Sequence, residues 1–207
     1  MQIEYANMLK WFHYNNPDQM GRFVESVSKN QQHSKDQLFF GLKEKNIVVP
    51  TDENGDITIE IVGGWFGWPL IGTCIKAFDN IKKINFYDID PFACRVLHRY
   101  MEEFKLSIDI NIFNSNWLDD DKERRAHVII NTSCEHMKDF KYLRDRFVAP
   151  ERTLLMLTSN DKIDELDHIN CKSSANQLAA DNGVHMLHGD HIWFEDYRRF
   201  IVVGKWK

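Results

Sequence analysis

Ile57-Thr-Ile-Glu-Ile-Val-Gly-Gly-Trp-Phe-Gly-Trp-Pro-Leu-Ile-Gly72 decides how this chain folds. Ile57, Ile59 and Ile61 alternate with Thr58 and Glu60, the period of a half-buried strand, and Val62 prolongs its apolar end. Gly63, Gly64 and Gly67 remove side chains where the chain must turn sharply. Pro69 then fits the first turn of a helix, where a missing N–H is harmless. A strand, a glycine turn and a helix N-terminus form a cradle for a nucleotide-like ligand. The same glycines also serve simply to pack the following helix on the strand. The loop is not the dinucleotide fingerprint G-x-G-x-x-G.

Downstream, strands and helices alternate. Lys83 to Asp90 reads as a second strand, with Pro91 opening a helix to about Phe104 whose inner face carries Phe92, Val96, Leu97 and Tyr100. Asp90 is placed to cap that helix. Asp88, at the carboxyl end of the strand and 25 residues after Gly63, has no such structural duty. A carboxylate there can accept two hydrogen bonds from a ribose diol. Ile108 to Phe113 forms a third strand, followed by Asn116 and Trp117. Those two residues suit an adenine edge and ring, or equally a polar turn and a core tryptophan. Asp119 to Arg125 is a solvated charge run.

The fourth strand, His127 to Asn131, ends in Thr132-Ser133-Cys134-Glu135-His136. Polar groups at the carboxyl end of a buried strand face the crevice where open α/β sheets bind ligands. Glu135 and His136 are candidate general acid or base residues. The bland alternative is a helix start capped by Ser133, running to Arg146. A fifth strand spans Thr153 to Thr158, a helix Ser173 to Asp181, and the tail reads as two strands, Val184 to Phe194 and Tyr197 to Lys205, with a bulge at Gly189. His185, His188 and His191 mimic a metal triplet, but strand alternation turns His188 away, so no metal is expected.

Residues 1–50 read as a helical cover. Pro17 starts one helix through about Ser28, and Ser34 with Gln37 forms a capping box for another, with Leu38, Phe39 and Leu42 inward. A lid carrying His33, Ser34 and Lys35 is the functional alternative. Residues 51–207 form the ligand-binding domain. At 207 residues the chain suffices for one domain with a substantial core. A net charge of −5 does not indicate nucleic acid as a partner, though a local patch remains compatible with it. No apolar run has membrane length, and four dispersed cysteines without a C-x-x-C pair point to a reducing cytoplasm.

Five β-α units closing in a hairpin give a sheet that is parallel except for one strand. Over residues 33–207 the chain resembles class I S-adenosylmethionine-dependent methyltransferases. Glu60 to Gly67 matches their acidic-then-glycine loop, Phe86-Tyr-Asp-Ile-Asp-Pro91 their second-strand acidic segment, Asn116-Trp117 their adenine position, and Tyr197 to Gly204 their antiparallel last strand. The resemblance implies a Rossmann-like three-layer sandwich with a seven-stranded sheet, and S-adenosylmethionine as cofactor. Gly63, Gly64, Trp65 and Gly67 would meet its methionine part, Asp88 its ribose, and Asn116 and Trp117 its adenine. Asn131, Glu135 and His136 would face an unidentified methyl acceptor. Trp65 replaces the family's middle glycine and the acid stands three residues before Gly63 instead of two, a loop similar to divergent, phage-like members. Neither Asn/Asp-Pro-Pro-aromatic nor a Pro-Cys nucleophile is present, so the acceptor is not indicated. Aminocarboxypropyl transfer from the same cofactor, or a module that kept the fold and lost the chemistry, are the alternatives.

Overall fold

The computed structural model describes residues 2–104 and 108–207. Three helices come first: α1 (Gln2–Asn15), α2 (Met20–Ser26) and α3 (Lys29–Glu44). Then follow β1 (Ile57–Val62), α4 (Trp68–Ala77), β2 (Ile81–Asp88), α5 (Pro91–Phe104), β3 (Asp109–Asn114), β4 (Val128–Asn131) and β5 (Leu154–Asn160). The chain closes with α6 (Ala175–Asp181), β6 (Val184–Trp193) and β7 (Arg198–Trp206). The sheet runs β3-β2-β1-β4-β5-β7-β6. Strands β1 to β5 are mutually parallel, and β7 inserts antiparallel between β5 and β6. This is the expected Rossmann-like sandwich with its C-terminal hairpin.

Strand alternation sorts the core into two faces. Ile59, Ile61, Ile84, Phe86, Ile130, Met156 and Val203 pack under α3, α4 and α5, through Leu38, Leu42, Leu70, Cys74 and Leu97. Ile129, Leu155, Leu157, Phe200 and Val202 face Leu178 of α6 and the rings of Trp117, Phe140 and Phe147. Strands β4 and β5 are buried on both faces, which is why they read as continuous apolar runs. A third cluster seats α1 and α2 on the glycine loop, with Met8, Phe12 and Phe23 around Phe66. No described helix is long and apolar enough to cross a membrane.

Four local expectations are corrected. Helix α3 starts at Lys29, where the Ser28 hydroxyl accepts the Gln31 N–H at 3.4 Å. Ser34 lies inside the helix and donates to the Asn30 carbonyl, so it is no cap. The stretch before Leu38 is polar, and apolar periodicity alone starts the helix too late. Between β4 and β5 the chain makes 3₁₀ turns, Cys134–His136 and Lys141–Arg146, in place of a helix to Arg146. Asn182 accepts the Phe140 N–H at 3.0 Å and fixes that path. The bulge in β6 lies between Met186 and His188, not at Gly189. It changes the alternation there: Met186 lines a groove beside Ser174 and Ala175, whereas His188, two residues on, lies against Gly41 of α3; His191 lines the Met186 groove, opposite to His188 as alternation expects. Finally, Ser133 does not cap through its side chain; its hydroxyl donates to the Gly63 carbonyl at 2.8 Å.

Candidate active site

Because β1, β2, β4 and β5 run parallel, their carboxyl ends share one edge. The glycine loop turns there. Gly63 and Gly67 adopt φ of +60° and +68°, which glycine alone takes without strain. A Cβ on Gly64 would overlap the Phe86 ring, and one on Gly67 would lie 2.8 Å from Leu97. The glycines therefore let the loop sit down on β2 and α5. Trp65 also has positive φ, at 54°; its ring packs on Phe66, with the Arg22 guanidinium 6.0 Å above it.

Contrary to the expectation from sequence, Asp88 does have a structural duty: it holds this loop in place. One carboxylate oxygen accepts the Trp65 N–H at 2.7 Å, the other the Asp90 N–H at 2.9 Å. Burial raises its pKa, and these two N–H groups oppose the shift. A carboxylate has about four acceptor positions, so two remain after both bonds. Asp90 caps α5 through the Phe92 and Ala93 N–H groups and pairs with Arg22.

The adenine candidates separate. Asn116 is exposed; its oxygen accepts the Leu118 N–H and its amide donates to Asp119. Trp117 is 1% exposed, and its indole N–H donates to Glu60 at 2.7 Å. Its ring belongs to the core against Phe140. The acidic residue of β1 thus points into the interior, where Arg124 pairs with it at 2.8 Å.

Beyond β4 the segment divides by direction. Asn131 is fully buried, its oxygen accepting the Ser133 N–H at 2.9 Å, which builds the turn. Cys134 is buried and its thiol pKa is pushed well up, so it stays protonated. Glu135, 2% exposed, turns toward β5 and β7: Asn160 donates to its Oε1 at 2.7 Å, and Arg199 lies 3.6 Å away. Glu135 Oε2 has no hydrogen-bond partner, nor do the buried Arg199 Nε, Thr158 and Ser159 hydroxyls nearby on β7 and β5. His136 is more exposed and reaches Asp167.

The sequence offers Lys35 only as one of three lid residues with His33 and Ser34; the structure buries it. It is 6% exposed, and burial lowers its pKa to about 7, with Arg199 adding and Asp36 and Glu135 opposing. Its Nζ donates to Gln31 Oε1 at 2.9 Å. The signal was available: Lys35 shares the 35-38-39-42 stripe with Leu38, Phe39 and Leu42. Unfolding returns this lysine to an ordinary pKa of about 10.4. Between pH 7 and 10 the unfolded chain therefore binds the extra proton, and stability rises with pH. Lys35→Met is expected to be more stable than wild type near pH 7, the gap closing by about 1.4 kcal/mol per pH unit toward pH 10. Urea unfolding of both proteins across that range measures it; a pH-independent gap would refute the buried neutral lysine.

No protein-family model and no curated protein sequence matches the chain. Its strand order and reversed penultimate strand define the fold as the one class I S-adenosylmethionine-dependent methyltransferases adopt, and solved structures agree. Magnesium protoporphyrin IX methyltransferase from Synechocystis PCC 6803, solved with bound SAM, aligns with a TM-score of 0.63 over 99% of this chain and 97% of its own, at 10% identity. The N-methyltransferase NodS from Bradyrhizobium japonicum WM9 aligns at 0.57 over 87% and 98%, at 14% identity. The cyclase SpnF aligns at 0.57 over 87% and 83%, at 10% identity. One scaffold therefore carries proteins named for different reactions, and the likeness is one of fold.

Proposed function

We propose that this chain is an S-adenosylmethionine-dependent methyltransferase, with residues 51–207 holding the cofactor and residues 1–50 covering its loop. The observation that carries the reading is Asp88: an acid at the end of β2, bonded to the backbone of the glycine loop and retaining acceptor capacity. In this reading it takes the ribose hydroxyls, Gly63, Gly64, Trp65 and Gly67 border the methionine part, and Asn116 lies at the adenine edge. Trp117 belongs to the core and leaves this list, and Asn131 becomes the organiser of the turn. When bound, the cofactor supplies a sulfonium methyl group that an acceptor lone pair can take, releasing S-adenosylhomocysteine. The chain's contribution is to orient the acceptor, exclude water and receive its proton. In this reading Glu135 and His136 border the acceptor half of the edge, with Lys35 near enough to feel the Glu135 charge. Four free cysteines suit a reducing compartment such as the cytoplasm.

One observation favours a second reading, a module without chemistry: Phe86 and Leu97 fill the side-chain space of Gly64 and Gly67. Calorimetric titration decides between cofactor binding and none. Wild type is expected to bind S-adenosylmethionine and not a nicotinamide dinucleotide. Asp88→Ala should weaken binding at least tenfold, since hydrogen bonds to a charged acceptor contribute about 1.5–3 kcal/mol each. Asp90→Ala should instead lower stability by about 1 kcal/mol through the lost cap. Equal affinity in wild type and Asp88→Ala would remove the ribose assignment. Methylthioadenosine as product, in place of S-adenosylhomocysteine, would indicate aminocarboxypropyl transfer.

A further inference from the structure

Three side chains converge at the far end of the edge, over β5 and β7. Glu135, His136 and His168 each bring one potential ligand atom within 4.8 Å of the other two. The imidazole rings lie 4.7 Å apart at 80°. Both rings have Nδ1 engaged: His136 Nδ1 lies 3.3 Å from the Asp167 carbonyl and 3.2 Å from its carboxylate, and His168 Nδ1 lies 2.6 Å from the Lys162 carbonyl. Nδ1–H donating to these oxygens fixes the tautomer and leaves each Nε2 with a free lone pair. That outer support is what metal-ligating histidines carry. Glu135 adds the independent sign. Its Oε1 is taken by Asn160 and lies 3.6 Å from the Arg199 guanidinium, while Oε2, in a side chain 2% exposed, has no hydrogen-bond partner. A buried carboxylate oxygen without a partner calls for a cation or donor.

We propose that Glu135, His136 and His168 bind a divalent transition metal of the zinc type. Two imidazoles and one carboxylate form a borderline-soft set that suits such ions. Cys171 stays outside it, since its thiol donates to the Lys162 carbonyl at 3.3 Å. Three protein ligands leave a coordination position open, as catalytic rather than structural sites do. An acceptor oxygen bound there would be held and acidified beside the methyl-transfer site. That role rests on the methyltransferase reading; the binding of metal does not.

The test uses the full chain, stripped with chelator and free of S-adenosylmethionine. Zn2+ is titrated by calorimetry, and Co2+ is added as a spectroscopic probe. The expected result is one equivalent bound, with Co2+ visible bands of a four- or five-coordinate site and a Zn2+-dependent rise in Tm. Glu135→Gln, His136→Asn and His168→Asn should each weaken binding more than about tenfold, and Asp167→Asn about 10–100-fold through the lost support. Circular dichroism checks each fold. If Glu135→Gln does not fold, His168→Asn and Asp167→Asn, both outside the strands, still decide. Absence of stoichiometric binding, or binding unchanged in His168→Asn, overturns the site. A separate cofactor titration shows whether the methyltransferase reading stands or falls with it.

Discussion

Arg124→Met is expected to destabilise the protein by about 3–5 kcal/mol, the range for breaking a buried ion pair from one side. Arg124 and Glu60 have side chains only 3% and 4% exposed. One Glu60 oxygen accepts both Arg124 at 2.8 Å and the Trp117 indole at 2.7 Å. The guanidinium also donates to the Trp117 carbonyl and lies 5.1 Å from the Tyr87 ring centroid and 4.9 Å from that of Trp117. Burial raises the Glu60 pKa, while Arg124 and Trp117 pull it down. Methionine keeps much of the volume but strands the carboxylate, which then takes a proton. In the variant the folded state binds that proton above the ordinary carboxyl pKa of about 4.3, where the unfolded state has lost it. Its stability therefore falls as pH rises; wild type falls less, because Arg124 and Trp117 hold its raised Glu60 pKa down, so the deficit is larger at pH 7.5 than at pH 4.5. Adding Glu60→Gln should recover part of the loss. Urea unfolding at both pH values checks this; a deficit under about 1 kcal/mol at pH 7.5 would show that the pair contributes little.

That pair also marks where sequence stops informing. Ile57 to Val62 and the parallel strands after it are legible because periodicity and turn residues are local properties. Asp90 is legible as a cap because it precedes Pro91. Glu60 and Trp117, 57 residues apart, meet only after β1 is laid in the sheet. A buried indole N–H needs an acceptor, but spacing does not say that the acid before the glycine loop is that acceptor. Glu60 thus resembles a loop acid by position while serving the core. For Asp88 the carboxyl end of the strand was readable, yet its bond to the Trp65 N–H depends on the turn the glycines allow. The 3₁₀ path from Cys134 to Arg146 is set by partners such as Asn182, which lies far along the chain. His168 sits in a stretch without periodicity, so nothing in the sequence joins it to Glu135.

Glu135→Gln is expected to lower kcat by about 10²–10⁴-fold, the contribution of a positioned acid or base. The substitution is nearly isosteric, and the glutamine oxygen can still accept the Asn160 amide that donates to Glu135 at 2.7 Å. Cofactor affinity should stay unchanged, because the segment meets the glycine loop through Ser133 and not through Glu135. A loss in kcat without a loss in cofactor binding separates the acceptor half of the edge from the cofactor half. His136→Asn should follow the same pattern, its imidazole being oriented by Asp167. Ser133→Ala gives the contrast: it removes the hydrogen bond to the Gly63 carbonyl, lowering stability by about 1 kcal/mol with turnover near wild type. If the carboxylate acts by holding metal, excess Zn2+ restores part of the lost turnover; if it acts as a base, it does not. Turnover intact in both Glu135→Gln and His136→Asn would leave Glu135 a core residue paired with Arg199, and the proton acceptor would have to be sought at Lys35.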